Sequence, residues 1–432
     1  MKQTKLILVG GFLGAGKTSM LYRAAQLLRE EGNRVGLITN DQASNLVDTA
    51  ILSDAGMPVN EVSGSCFCCN FPGLIEAIES VASAIDGGIT IAEPVGSCTD
   101  LSATILQPIK DRHRDLADPA PMTVMADPER LRGILDKKYS TAAYIATKQF
   151  EEADIILINK ADVLKKDDLR DLVRRTQERW PDAKVMTASV KENTGVREWL
   201  DEVLRAGTAG SHLAEVDYDL YADGEAAYGW LNATYSFARP VKTHPIETCP
   251  EEARQEESSA AESTLAKSFS TGSSTLKSSP TVNSMAESSA AGKLSTGAAA
   301  EEGKTAEEKA CAAAAVRFLD LLESGLSEKN AEIGHVKFLL RAGKKQWLGN
   351  LTGMADHKTL REEAFSTADG KEDADEYTLI VNARAETGPG ELQEITLAAI
   401  DRAFDGFKVT GTQIRTLIPG RPNPTWHYDQ VI

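Results

Sequence analysis

Gly10-Gly11-Phe12-Leu13-Gly14-Ala15-Gly16-Lys17-Thr18 follows the apolar run Lys5–Val9 and precedes a stretch with helical spacing. Strand, glycine-rich loop, then helix is the order of a phosphate-binding loop. Glycines let the backbone curl so that successive N–H groups point inward at phosphate oxygens. Lys17 can reach the outer phosphates, and the Thr18 hydroxyl is placed for Mg²⁺. Thr18–Glu31 reads as the helix, with Met20, Leu21, Ala24, Leu27 and Leu28 on one face and Gly32 as its stop signal. Its N-terminal dipole adds attraction for an anion. Gly11, Gly14, Ala15, Gly16, Lys17, Thr18 and Ser19 are the candidate phosphate contacts.

Outward from this loop, Val35–Thr39, Ile89–Ala92, Met122–Met125, Ile155–Ile158 and Lys184–Thr187 read as further strands, each separated from the next by helical sequence. The alternation predicts an α/β domain, a mostly parallel sheet with helices on both faces. Ligands of such sheets collect beyond the carboxyl ends of the strands, and the motifs fall there. Asn159-Lys160-Ala161-Asp162 follows Ile155–Ile158. A carboxylate at Asp162 can accept from guanine N1 and its 2-amino group, donors that adenine lacks, and the wrong base would leave it unpaired. The plain alternative is an Asn/Asp turn after a strand. Ser189, in Thr187-Ala188-Ser189, resembles a base-supporting loop only weakly. Glu93, leading into Glu93-Pro94-Val95-Gly96, can hold Mg²⁺ or its water shell, while Gly96 permits close backbone approach to a phosphate. Asp41 is a second candidate on the Mg²⁺ side. Lys17, Asp41 and Glu93 are thus the candidate catalytic groups. No glutamine or histidine is obviously placed to orient a water, so a partner or a homodimer could supply that group.

Gly64-Ser65-Cys66-Phe67-Cys68-Cys69 brings three thiols into four residues. Thiolates prefer Zn²⁺ and other soft ions, and this spacing permits a tridentate grip in one turn. Structural zinc sites usually use two separated pairs, so one cluster with an open position suits transfer. Cys98 is a candidate fourth ligand. The competing reading is three small buried hydrophobes. The histidines, at positions 113, 212, 244, 335, 357 and 427, are scattered, and His335 reads as core or pocket wall.

The 432 residues carry a net charge of −17, which argues against a general nucleic-acid binder. No apolar run approaches the roughly 20 residues that span a bilayer. The expectation is a cytoplasmic chain without membrane association, whose clustered cysteines do thiolate chemistry rather than form disulfides. Residues 1–208 form the first domain, and 209–248 hold a linker and the first strand of the second. Residues 249–308, rich in Ser, Ala, Thr, Glu and Gly, cannot bury enough apolar surface to offset their ordering entropy and are expected to be a disordered insertion. That first strand, Gly229–Phe237, and in the remainder, 309–432, Ala310–Glu323, Ile333–Arg341, Gln346–Leu351, Tyr377–Ala385, Glu391–Phe404 and Phe407–Leu417 read strand-helix-strand-strand, then strand-helix-strand. That is the order of a ferredoxin-like α+β domain, with Pro419–Pro424 lying over the surface.

Taken together, residues 10–18, Cys66-Phe-Cys-Cys69, Glu93-Pro-Val-Gly96 and Asn159-Lys-Ala-Asp162 resemble the CobW branch of the CobW/HypB/UreG GTPases, P-loop proteins linked to metallochaperones. The resemblance covers the first domain well and the second only in layout. It implies GTP hydrolysis tied to delivery of zinc, cobalt or nickel to a client metalloprotein. It also implies Lys17 and Thr18 on phosphate and Mg²⁺, Glu93 on the Mg²⁺ side, and Asn159, Lys160 and Asp162 with Ser189 around guanine. Cys66, Cys68 and Cys69 would hold the metal. The chain departs from the family at Asn40-Asp41-Gln-Ala-Ser-Asn, at Pro94 and in the long insertion. Other readings are a P-loop kinase or ATPase with structural cysteines, and a metal-responsive scaffold that binds nucleotide without turnover.

Overall fold

Leu6 and Leu8 pack into one apolar cluster and Ile7 and Val9 into another, so the first strand is buried on both faces. That pattern requires covering layers above and below, as a parallel sheet has. A computed structural model of the chain describes residues 2–41, 57–137, 141–205, 207–238, 305–353, 358–364 and 376–432. The first sheet comprises β1 (Thr4–Gly11), β2 (Val35–Asp41), β3 (Val59–Ser63), β4 (Ile89–Glu93), β5 (Ala117–Pro119), β6 (Thr123–Ala126), β7 (Ile155–Ile158) and β8 (Lys184–Thr187). Its order is β3-β2-β4-β1-β6-β7-β8, with β5 beside β1, and every pairing is parallel. β3 and β5 were not legible: one has two apolar residues in five, the other is three residues long.

The second sheet is antiparallel, built from β9 (Gly229–Ala238), β10 (Ile333–Ala342), β11 (Lys345–Leu351), β12 (Lys358–Ala364), β13 (Glu376–Ala385) and β14 (Lys408–Leu417). Its order is β12-β11-β10-β13-β9-β14. Without β11 and β12 the order β14-β9-β13-β10 is that of a four-stranded ferredoxin-like sheet, and the β11-β12 hairpin extends it. β12 corrects the five-strand expectation. Arg361, Glu362 and Glu363 leave it no apolar alternation, and such charge is common on an edge strand, which pairs on one side only. Helices Ala306–Glu328 and Pro389–Ala403 cover one face, where Phe318, Leu322, Leu392 and Phe404 meet Phe237, Val336, Phe338 and Val381.

The helix Ala306–Glu328 starts within the stretch assigned to the insertion, because Thr305 and Glu308 form a capping box. The rest of the expected insertion, from 249 to 304, lies outside the described residues, as does the segment after Asp41 up to 56. The supposed linker also holds a helix, Tyr218–Ala226, capped by the Asp217 side chain. No helix among the described residues is long and apolar enough to cross a membrane.

Candidate functional site

The loop between β1 and the helix Lys17–Glu30 closes into a cradle. Gly16 has φ 88°, and a Cβ there would stand 2.5 Å from Asn159 Nδ2, so any other residue would be strained and would collide. Lys17 is buried; its ammonium donates to the Gly11 carbonyl at 2.8 Å and lies 4.0 Å from Glu93 Oε1. The Thr18 hydroxyl donates to the same Glu93 oxygen at 3.1 Å. Gly96 lies close against the loop: a Cβ there would sit 2.9 Å from Lys17 Nζ and 2.8 Å from Leu13 Cδ2. β4 therefore delivers both Glu93 and Gly96 to the cradle. Asp41 ends β2 in register with Ser63. The placement of its side chain lies outside the described part of the structure. Ser19 is exposed on the helix.

Two strands away, the candidate base-binding loops lie against the cradle. Asn159 is buried and donates to the Ala15 carbonyl at 2.9 Å, so it braces the phosphate loop. Val190 N–H donates to Asn159 Oδ1 at 3.4 Å, and Ser189 Oγ donates to Asp162 Oδ1 at 2.6 Å. Lys160 adopts φ 55° and sends its ammonium to Asp127 at 2.9 Å. The segments 159–162 and 187–189 are thus tied to each other and to residues 11–18, at the carboxyl ends of β7, β8 and β1.

The thiols occupy a tight turn after β3, where Cys69 N–H and Asn70 N–H both donate to the Cys66 carbonyl. Asn70 then caps the helix Phe71–Ala84 by accepting from Gly73 N–H. Cys66 Sγ lies 3.0 Å from Cys68 Sγ, and Cys68 Sγ 3.8 Å from Cys69 Sγ. All three sulfurs lie within 4.8 Å of one another. A tetrahedral zinc with Zn–S of about 2.3 Å puts its sulfurs about 3.8 Å apart, so small adjustments would seat the ion. Hydrogen bonds from the Cys68, Cys69 and Cys98 thiols hold Cys66 far below an ordinary thiol pKa. Acting as its donors pushes Cys69 up to about 11, and raises Cys68 and the buried Cys98 well above normal. The first proton is thus lost most readily at Cys66, and a soft cation bound by the trio would displace the remaining ones.

Sequence reasoning missed several groups that shape this place. Asn40, at the end of β2, donates to the Val62 and Ser65 carbonyls, each at 2.8 Å, and accepts from Phe67 N–H at 2.9 Å. A polar residue ending an apolar strand was the available signal. The chain's final segment, expected merely to lie over the surface, crosses the thiol turn. Asn423 N–H donates to Cys69 Sγ at 3.2 Å and Thr425 N–H to the Cys68 carbonyl at 2.9 Å. Beyond it, Trp426 stacks under Arg112 at 3.8 Å, His427 meets Asp100 at 3.2 Å, and Tyr428 donates to Asp111 at 2.7 Å. The second sheet also reaches the cradle side. Lys337 on β10 donates to Thr18 Oγ1 at 3.2 Å. Arg384 on β13 donates to Ser97 Oγ at 3.1 Å while lying over Trp230. His335, read as core or pocket wall, lies beside these groups; burial first, then Lys337, Arg384 and Lys17, depress its pKa and keep it neutral.

Residues 5–187 match the family model described as CobW/HypB/UreG, nucleotide-binding domain, which bears out the resemblance carried by the motifs of the first sheet. A curated relative, zinc chaperone YeiR of Escherichia coli (strain K12), is 29% identical over 167 residues. That alignment takes in 37% of this chain and 47% of YeiR, so the chain spans about half the length of the curated relative it matches. Among solved structures, HypB from Helicobacter pylori in complex with nickel is 17% identical, covering 50% of this chain and 91% of HypB with TM-score 0.35. Zn(II)-bound YjiA GTPase from E. coli is 14% identical, covering 93% and 99% with TM-score 0.30. With scores this low, the fold rests on the strand orders themselves.

Proposed function

We propose that this chain is a GTP-hydrolysing metallochaperone, which loads a thiophilic divalent ion at Cys66, Cys68 and Cys69 and couples its delivery to the nucleotide cycle. One observation carries the reading: a single loop joins the two sites. Glu93 at its start accepts from Thr18 in the cradle, and Cys98, five residues on, is buried in the same apolar cluster as Cys66 and Cys68 of the thiol turn. A shift of this loop on nucleotide binding would change the geometry at the sulfurs.

In this reading the residue 11–18 loop and Lys17 bind the phosphates, and the Asp162 carboxylate reads guanine. Ser189 holds that carboxylate in place, and Asn159 braces the loop. Thr18 and Glu93 offer a hydroxyl and a carboxylate, hard oxygen donors that suit Mg²⁺, and Asp41 ends the neighbouring strand. Mg²⁺ bound there would neutralise charge on the phosphate oxygens. The sulfurs favour zinc, with cobalt or nickel as further candidates, and the cargo passes to a client metalloprotein. The zinc and nickel named for the relatives support this choice of cargo.

The test is an equilibrium Zn²⁺ titration of the full chain, free, with GDP and with a non-hydrolysable GTP analogue. A difference of about tenfold or more between nucleotide states is expected, within the usual range of coupling energies. Identical affinities would remove thermodynamic coupling.

A further inference from the structure

β10 alternates cleanly. Val336, Phe338 and Leu340 point into the helix-covered core, while His335 and Lys337 belong to the opposite set. The strand is fixed on both sides, paired with β11 from Val336 to Ala342 and with β13 from Ile333 to Ala342. Gly334 abuts the phosphate loop: a Cβ there would lie 2.8 Å from Leu13 Cδ1, and one on Gly14 would lie 3.4 Å from the Gly334 carbonyl. Arg130, over the ring of Phe12, pairs with Glu332 at 2.7 Å just before β10. These contacts hold the start of β10 against the cradle.

Lys337 Nζ stands 3.2 Å from Thr18 Oγ1, which itself lies 3.1 Å from Glu93 Oε1, and Lys17 Nζ is 4.0 Å from that carboxylate oxygen. Two ammonium groups, one from the helix that follows β1 and one from the second sheet, 320 residues apart in sequence, therefore converge on the hydroxyl end of the cradle. In a loop of this kind, that end is where the outer phosphates lie. A chain with net charge −17 has concentrated cations here.

We infer that Lys337 is a cation supplied by the second sheet to the terminal phosphate of the nucleoside triphosphate held in the cradle. The inference rests on the reading of the cradle given above. When the nucleotide enters, the ammonium exchanges the Thr18 hydroxyl for a γ-phosphate oxygen. In hydrolysis the water oxygen bonds to the γ-phosphorus as the bond from that phosphorus to the β–γ bridging oxygen breaks. The electron pair stays on the β-phosphate; one water proton remains on the released phosphate and the other goes to solvent. Lys337 takes part in no covalent change: it counters the charge that develops on the transferring group, which is where positioned cations act most strongly. It also gives the second sheet a direct means of distinguishing triphosphate from diphosphate.

The experiment compares the full-length parent with Lys337→Met, which keeps the stem, and with Lys337→Arg, which keeps the charge. Fluorescent GDP binding, binding of a non-hydrolysable GTP analogue, and single-turnover GTP hydrolysis are measured for each. Lys337→Met should leave GDP affinity within about twofold, weaken the analogue about tenfold, and slow the chemical step by about 10²-fold. Lys337→Arg should recover most of the analogue affinity. Equal losses for GDP and the analogue would make Lys337 a tie between the sheets and overturn the inference, as would an unchanged rate. A gain in GDP affinity without loss of turnover would show a mere competitor of Mg²⁺ and overturn it too. A parent that binds neither nucleotide would remove the reading of the cradle itself, and this inference with it.

Discussion

The phosphate cradle and the thiol pocket sit at the same edge of one sheet, yet they are made in opposite ways. The cradle comes mainly from eight consecutive residues, and its shape is backbone shape, set by glycine conformations such as φ 88° at Gly16. The thiol turn at 66–69 is packed from three further stretches: Asn40, the buried Cys98 and the crossing at 423–425. A local site tolerates change elsewhere and fails abruptly when its own residues change. A composite site degrades by degrees as each distant support is removed.

The contrast can be broken most directly at Lys17. Lys17→Ala should lower GTP turnover by about 10²–10³-fold while thiol reactivity toward iodoacetamide stays near that of the parent. A large change in thiol reactivity would show the two sites to be one unit. Asp162→Asn should cost about 10²-fold in GTP affinity and transfer preference toward xanthosine triphosphate, whose 2-oxo group accepts rather than donates. Competition binding with the two nucleotides checks this, and unchanged preference would refute guanine reading.

On the composite side, Asn40→Ala removes three hydrogen bonds, to Val62 in β3, to Ser65 ahead of the thiol turn and to Phe67 within it. At about 1 kcal/mol each, up to 10²-fold in zinc affinity is expected, with GDP binding little altered. Competition against a chromogenic chelator measures it. Trp426→Ala should have the smallest effect. Loss of one Arg112 contact, about 0.5–1 kcal/mol, should release the final segment enough to speed alkylation of Cys69 about two- to fivefold. An unchanged alkylation rate would mean the segment does not guard the sulfurs.

Much of this was legible before any coordinates. Ile155–Ile158 and Lys184–Thr187 emerged with the expected ends, because short β-rich runs between helical stretches leave little choice of register. The thiol trio was equally plain, since its spacing alone puts the three sulfurs in one turn. Lys337 was not. In a strand reading Gly-His-Val-Lys-Phe, a lysine on the polar side looks like a solvent-facing residue, and nothing local shows that this side meets a phosphate loop 320 residues earlier. The crossing of Asn423 and Thr425 over the sulfurs was hidden likewise. Proline and glycine mark a chain that leaves regular structure without saying where it goes.

The sequence by itself determined the cradle, the sheet that carries it and the thiol turn. These depend on dihedral preferences, side-chain alternation and contacts within a few residues, which are encoded where they act. Only the tertiary structure decided that one loop sets Glu93 beside Thr18 and Cys98 in the cluster of the thiol turn, that Lys337 stands over Thr18, and that the final segment closes on Cys69. Such meetings are set by how two sheets bury their apolar faces, a property of the whole packed core rather than of any one stretch.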